Sequence, residues 1–313
     1  MKKGALFRKR NGFALIAVMW VVAFLSMILS VTILLVGVES EAVAAEEHEF
    51  RAWQLAHMGL SYASHPGVDR GNEVLSFQPE DVDEAYQVIV QAEASRINLN
   101  HVIRVGDKAL LRKLFQYWLN DDVQADELTD AMIDWVDADD LVSLNGAEKE
   151  WYNERGFENR PFNREFRSLD EVRLVKGFNR IEDNIPDWKN WFTLHSVGAV
   201  DIHEAEAELL SVVGETSLAN AEQFALIVKG EDEVLGTSDD FRFLSVASAL
   251  DSLASEIVNT DIISQRFILQ GSTLRVESVG RSGVYRKKIQ AVIRMRGEVP
   301  RVLSYQETVL ESE

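Results

Sequence analysis

Two acidic clusters hold the side chains of this sequence best suited to chemistry. Asp134, Asp137, Asp139 and Asp140, followed by Glu148 and Glu150, gather carboxylates across the end of a helical pattern and a loop containing Gly146. A second group sets Glu231, Asp232 and Glu233 against Asp239 and Asp240, on either side of Gly236. Carboxylate oxygens are hard donors, and calcium takes about six to eight of them at about 2.3–2.6 Å, so acid-rich loops suit it. Neither cluster has the spacing of an EF-hand, and a solvated acidic face is the alternative for both in a chain of net charge −19. Paired carboxylates also act as acid and base in glycoside hydrolysis. No Gly-x-Ser-x-Gly elbow, phosphate loop or metalloprotease motif accompanies them, so an enzyme has little support. Six histidines without a His-x-x-x-His pair argue against zinc.

The elements that must carry these acids read as helices. Asp107 to Asn120 places Leu110, Leu111, Leu114 and Trp118 on one face, and Ala125 to Val136 does so with Leu128, Met132 and Val136. Ser168-Leu169-Asp170-Glu171 has the spacing of a capping box, and Asp201-Ile202-His203-Glu204 resembles one before Leu209 and Leu210. Trp188, Trp191 and Phe192 read as core. Strand signals flank this block. Tyr86 to Ala92 alternates on one side; Gln265–Gln270, Thr273–Val279, Val284–Met295 and Arg301–Val309 follow on the other, with Gly271, a Gly280–Gly283 turn and Gly297–Pro300 as breaks. In Val284–Met295, Tyr285, Ile289, Ala291, Ile293 and Met295 share one parity, and Arg286, Lys288, Gln290 and Arg294 the other, as in a half-buried antiparallel strand. The pattern predicts an α+β fold with a helical block of about 150 residues inserted into a smaller domain.

At the N-terminus, Lys2, Lys3, Arg8, Lys9 and Arg10 precede 26 uncharged residues, Phe13 to Val38. As a helix this run is about 39 Å long, enough to cross a hydrocarbon core of about 30 Å. The basic end stays cytoplasmic, while Glu39, Glu41, Glu46 and Glu47 follow on the far side. A plain signal anchor and a secretory signal cut at Ala42-Val43-Ala44 compete for this segment. Secretory signals have apolar regions of about 7 to 15 residues, which argues against removal of a run this long. Beyond it Phe50, Trp53, Ala56, Leu60 and Ala63 mark an apolar stripe, ended by His65-Pro66-Gly67. The chain has no cysteine, so disulfides and thiolate chemistry are excluded.

Gly12 followed by Phe13 resembles the processing site of type IV pilins and type II secretion pseudopilins. That resemblance implies cleavage after Gly12 by a prepilin peptidase and N-methylation of Phe13, leaving a body of net charge −24 once five leader cations are lost. Most members carry Glu as the fifth mature residue; here it is Ala17, which resembles the K-type minor pseudopilin. The same family is matched, in order, by Arg96-Ile97-Asn98-Leu99-Asn100, by residues 131–139 around Asp134-Trp135, by Gly146-Ala147-Glu148 with Trp151-Tyr152, and by residues 166–177.

The resemblance implies a type IV pilin-like fold: a long N-terminal helix packed on a small antiparallel sheet, with a large inserted all-helical, SAM-like domain. The expected parts are leader 1–12, transmembrane helix 13–38, its periplasmic continuation 39–65, an α/β domain from 66–104 and 257–313, and the helical insertion 105–256. It further implies a bacterial inner-membrane protein, single-pass, with a periplasmic body. Expected partners are other minor pseudopilins of the I, J and H types, the major pseudopilin, the inner-membrane assembly platform and the prepilin peptidase. It implies bound calcium at Asp134, Asp137, Asp139, Asp140, Glu148, Glu150, Asp232, Asp239 or Asp240, without a ligand assignment. A minor pilin of a type IV pilus and a calcium-dependent membrane-anchored adhesin are the alternatives. Val200-Asp201-Ile202 with Leu209 and Leu210 resembles a helix-hairpin-helix start, but Glu204, Glu206, Glu208 and Glu215 replace the cations that DNA needs, so no nucleic-acid partner is expected.

Overall fold

The computed structural model describes residues 11–253, 260–294 and 300–310. The leader 1–12 lies outside these apart from the backbone of its last two residues, and the predicted break at Gly297–Pro300 lies outside apart from Pro300. One helix, α1 (Asn11–Ala63), is 53 residues long, about 80 Å. Its apolar N-terminal part packs against nothing within the chain: the span beginning at Ala14 reaches a mean hydropathy of 2.7 with no burial.

The last turns of α1 lie across a five-stranded antiparallel sheet. After β1 (Ser76–Phe77) and β2 (Glu84–Ala92) the chain departs for 180 residues. It returns as β7 (Thr273–Ser282), β8 (Tyr285–Arg294) and β9 (Arg301–Leu310), giving the order β1-β2-β7-β8-β9. Departure and return are neighbours, since Ala92 pairs with Leu274.

The seam differs from the predicted stripe. Ala52, Leu55, Ala56, Gly59 and Ala63 are buried, whereas Phe50 is 55% exposed and Trp53 sits at the rim, its indole N–H donating to Glu307 at 3.1 Å. Close approach selects for small size here. Gly280 remains within β7 instead of forming the predicted turn, because a Cβ on it would lie 2.0 Å from the carbonyl oxygen of Ala52 and 2.4 Å from the amide of Ala56. The hairpin turns at Gly283, which has φ +58° and so takes the left-handed region open to glycine. Val292, on the polar parity of β8, is buried too, since the helical block covers that end of the second face.

The inserted block runs β3 (Ile97–Asn98), α2 (Leu99–Val105), α3 (Lys108–Leu119), α4 (Asp122–Val136), α5 (Lys149–Asn153), α6 (Leu169–Val172), α7 (Asn179–Asn184), β4 (Phe192–Thr193), β5 (Val200–Asp201), α8 (Ala207–Val213), α9 (Leu218–Lys229), α10 (Val246–Ser252), α11 (Thr260–Gln265) and β6 (Phe267–Ile268). The two-residue strands pair in parallel, β3 with β4 and β5 with β6, so the block is not purely helical. Ile97, Leu99 and Val102 at one end, and Ile263 and Phe267 at the other, pack into its core with Leu111, Trp135 and Phe224. The expected boundaries at 104/105 and 256/257 therefore cut through that core, and the block begins by residue 97 and ends after 267. Its motif residues are core fittings. Asn98 caps α2 by accepting from His101 N–H at 3.0 Å, and Asn100 exchanges two 2.9 Å hydrogen bonds with the backbone of Phe166.

Neither expected capping box forms, although Ser168 does stand at the N-cap of α6. Ser168 makes no side-chain capping bond, because Glu171 instead accepts from the Trp135 indole at 3.1 Å and from Arg164 at 3.0 and 3.1 Å. Asp201 ends β5 and accepts from the amides of His203 and Gly271, and α8 begins only at Ala207.

Candidate metal centre

The C-terminal end of α4 is built against ordinary helix electrostatics. Asp134 stands in its last turn and Asp137 is its C-cap, with no basic residue in that turn, so two carboxylates face the negative end of the helix dipole. The chain then loops outward and returns with Gly146, Ala147 and Glu148, where Glu148 precedes α5. Asp134 fixes the loop: its carboxylate accepts from Ser143 N–H at 3.1 Å and Ala147 N–H at 2.8 Å. Only glycine permits this approach, since a Cβ on Gly146 would fall 1.9 Å from Asp134 Oδ2. Lys176 clamps the loop from outside, its ammonium donating to the carbonyls of Asn145 and Gly146, each at 2.9 Å.

Asp134, Asp137 and Glu148 thereby converge, each offering a carboxylate oxygen within 4.8 Å of the others. Asp134 and Glu148 are buried, and Asp137 is partly exposed. Asp137 Oδ1 and both Glu148 oxygens are buried without any hydrogen-bond donor, a costly condition for anionic oxygens. Burial, then the neighbouring Asp134, Asp137 and Asp140 carboxylates, push Glu148 up to about 7. Burial, then Asp139 and Asp134, push Asp137 up to about 6. Three hard oxygen donors with no nitrogen or sulfur among them fit a divalent cation of the calcium type, with backbone oxygens or water completing the shell.

The other expected ligands do not join this centre. Asp139 is exposed and accepts from Leu141 N–H at 2.8 Å; Asp140 is exposed and accepts from Asn163 at 3.2 Å; Glu150 is exposed on α5. In the second loop each acid closes its own turn. Asp232 accepts from Val234 N–H at 2.8 Å, and Asp239 collects Glu231 N–H, Asp232 N–H and the Thr237 hydroxyl, which hold it down at about 2. Asp240 accepts from Gly236 N–H and Arg242, both at 2.9 Å. Among the described residues only Asp134, Asp137 and Glu148 form a group of three potential ligands. Lys176 and Asn163, whose amide donates to Asp139 O and Asp140, have no local signature, because both act across long separations.

Residues 95–181 match a family model described as type II secretion system (T2SS), protein K. The segment includes the entire carboxylate centre. No curated protein matches the sequence significantly. The fold is similar to a chain in the crystal structure of the GspK-GspI-GspJ complex from the enterotoxigenic Escherichia coli type 2 secretion system, with a TM-score of 0.57 and 13% identity, over 86% of this chain and 99% of that one. At that identity the likeness is one of fold: long N-terminal helix, antiparallel sheet and large insertion.

Proposed function

We propose that this chain, which belongs to the type II secretion system protein K family through residues 95–181, works as a minor pseudopilin. Its apolar helix anchors it in the bacterial inner membrane with the body in the periplasm, and it joins other minor pseudopilins to prime a short filament that drives folded proteins outward. One observation carries this reading: the exposed apolar half of α1 continues without a break into the half that packs on the sheet. A single rod can therefore reside in lipid and later be drawn into a fibre. The charge of the body, −24 after loss of the leader, suits an extracytoplasmic soluble domain.

The tip of the filament suits this subunit. The insertion would obstruct a subunit stacked above it, and Ala17 supplies no carboxylate to compensate a neighbour's terminal amine. Calcium belongs to the same reading. Asp134, Asp137 and Glu148 would hold it, and the bound cation would neutralise three buried charges and tie the end of α4 to the start of α5.

Mass spectrometry of the mature N-terminus tests the pseudopilin assignment: N-methylated Phe13 is expected, and a mature chain starting near Ala45 overturns it. Crosslinking that finds pseudopilins on both axial faces of the body would exclude the tip position.

A further inference from the structure

His203 is a buried imidazole with no part in the carboxylate centre. It stands in the turn between β5 and α8 and is 3% exposed. Its two nitrogens face groups of opposite kind. Nδ1 lies 2.9 Å from the carbonyl oxygen of Leu269, which can only accept, so Nδ1 carries the proton. Nε2 lies 2.9 Å from the backbone N–H of Phe243, which can only donate, so Nε2 is bare. The partners thus fix a neutral ring in one tautomer. A second proton would set two N–H groups against each other and break the contact with Phe243.

That contact holds one arm of the loop 230–245, which joins α9 to α10. The Phe243 ring stacks on His203, with centroids 6.0 Å apart, and on Phe224 of α9, 5.3 Å apart. Phe241 and Leu244 are exposed, so Phe243 is the side chain that packs this arm down. A cavity of about 430 Å³ is bounded by the arm, by Arg70 and by the turn at Asp201–Glu204. The charges facing the ring are already engaged. Asp201 Oδ1, 3.9 Å from Nδ1, accepts from His203 N–H at 3.1 Å. Glu204 takes Arg70 and Arg242, and Asp240 takes Arg242 at 2.9 Å. Burial first, and then Arg242 among the charges, hold His203 below its ordinary 6.5, against the opposing pull of the Leu269 carbonyl, Glu204 and Asp240. Burial also pushes Asp201 up to about 6, so the nearest anion loses its charge in the range where the ring would gain one. A base held below its ordinary value favours the closed arm fully above about pH 6.5 and progressively less below it.

We propose that His203 is an acid-sensitive latch: neutral, it holds residues 241–245 closed over the cavity; protonated, it releases Phe243 from Phe224 and lets the arm swing outward. The turn that resembled a helix start is then the seat of a catch between three segments, β5, the strand end at Leu269 and the loop. The latch is independent of the pseudopilin reading and of calcium, and an unmethylated Phe13 would leave it standing.

The test uses the full chain in detergent micelles. It has no cysteine of its own, so Gln223→Cys and Leu244→Cys, both at exposed positions, carry spin labels on α9 and on the arm, and double electron–electron resonance reads their separation. One distance is expected at about pH 7.5, and a second, longer one that grows as the pH falls below about 6.5 and disappears on return. His203→Gln keeps an acceptor for Phe243 N–H and takes up no proton, so it should hold the single distance throughout, while the carboxylates of the metal centre still titrate. If that variant melts too low to measure, the His203 ring nitrogens of the parent chain, followed by NMR, replace it: Nε2 should gain its proton over the pH range in which the longer distance appears. A separation that acid leaves unchanged overturns the inference. So does acid opening that persists in His203→Gln or that precedes protonation of the ring.

Discussion

Gly146 lies against Asp134 so closely that a single methyl group would stand 1.9 Å from its carboxylate oxygen. This contact lets the backbone of residues 143–147 wrap the acid and leaves Glu148 facing Asp137. Gly146→Ala should push the loop off Asp134, lower the melting temperature and weaken calcium binding at least tenfold, about 1.4 kcal/mol. Isothermal titration calorimetry and thermal melts of the same preparation check both effects.

Replacing one acid of the centre should have opposite consequences with and without metal. Glu148 is only 3% exposed and its oxygens meet no donor. In chelator, Glu148→Gln should stabilise the protein on the order of 1 kcal/mol at pH 7.5 by removing buried like charge. In millimolar calcium the same variant should melt below the parent, having lost a ligand. A shift of the same sign in both buffers would contradict a cation site.

The pH dependence of the metal-free protein follows from the two raised carboxylates. Glu148 moves from 4.5 to about 7 and Asp137 from 3.8 to about 6. Across that window the folded chain holds more protons than the unfolded one, so this centre's contribution to stability falls as pH rises. It is most favourable below about pH 4 and least favourable above about pH 7. Calcium should reverse the slope, since only the ionised carboxylates bind it. Chemical denaturation at several pH values, with calcium or with chelator, reads both slopes.

Gly280 provides a test of the seam between helix and sheet. Its two nearest neighbours on α1, Ala52 O and Ala56 N, are backbone atoms, which cannot rotate away. Gly280→Ala should cost about 3 kcal/mol or more, the upper range of overpacking, whereas Gly67→Ala in the exposed loop after α1 should change little. Melting temperatures of the two variants decide it.

Trp135 and Glu171 give the core of the block a polar keystone. Glu171→Ala would leave a buried indole N–H without an acceptor and strip Arg164 of its carboxylate partner, leaving it only the Glu165 carbonyl, so a loss of about 2–4 kcal/mol is expected. Glu171→Gln should recover part of it. Denaturant midpoints, with tryptophan fluorescence as the probe, measure the difference.

Periodicity made the packed part of α1 and the strands β7 and β8 legible, since each has one dry face, whereas β9 buries none of its residues and was legible from its strand-forming composition. It did not locate the helix seam, because Ala52, Ala56 and Gly59 are selected for backbone approach, a matter of size, while the more apolar Phe50 and Trp53 serve the rim. The box at Ser168 and Glu171 has the right spacing, yet a buried indole competes for the same carboxylate. In the acidic loop, Asp134 and Asp137 were expected to share a helix end. That Glu148 joins them, while Asp139, Asp140 and Glu150 turn to solvent, depends on Gly146 and Lys176, whose contacts have no local signature.

The pairing of Ala92 with Leu274 has a mechanical consequence. Because the inserted block leaves and re-enters the sheet at adjacent positions, traction on α1 passes into β7, β8 and β2 and bypasses the block. If the chain works as the proposed pseudopilin, a head joined in this way can enlarge or vary without weakening the pull on the sheet.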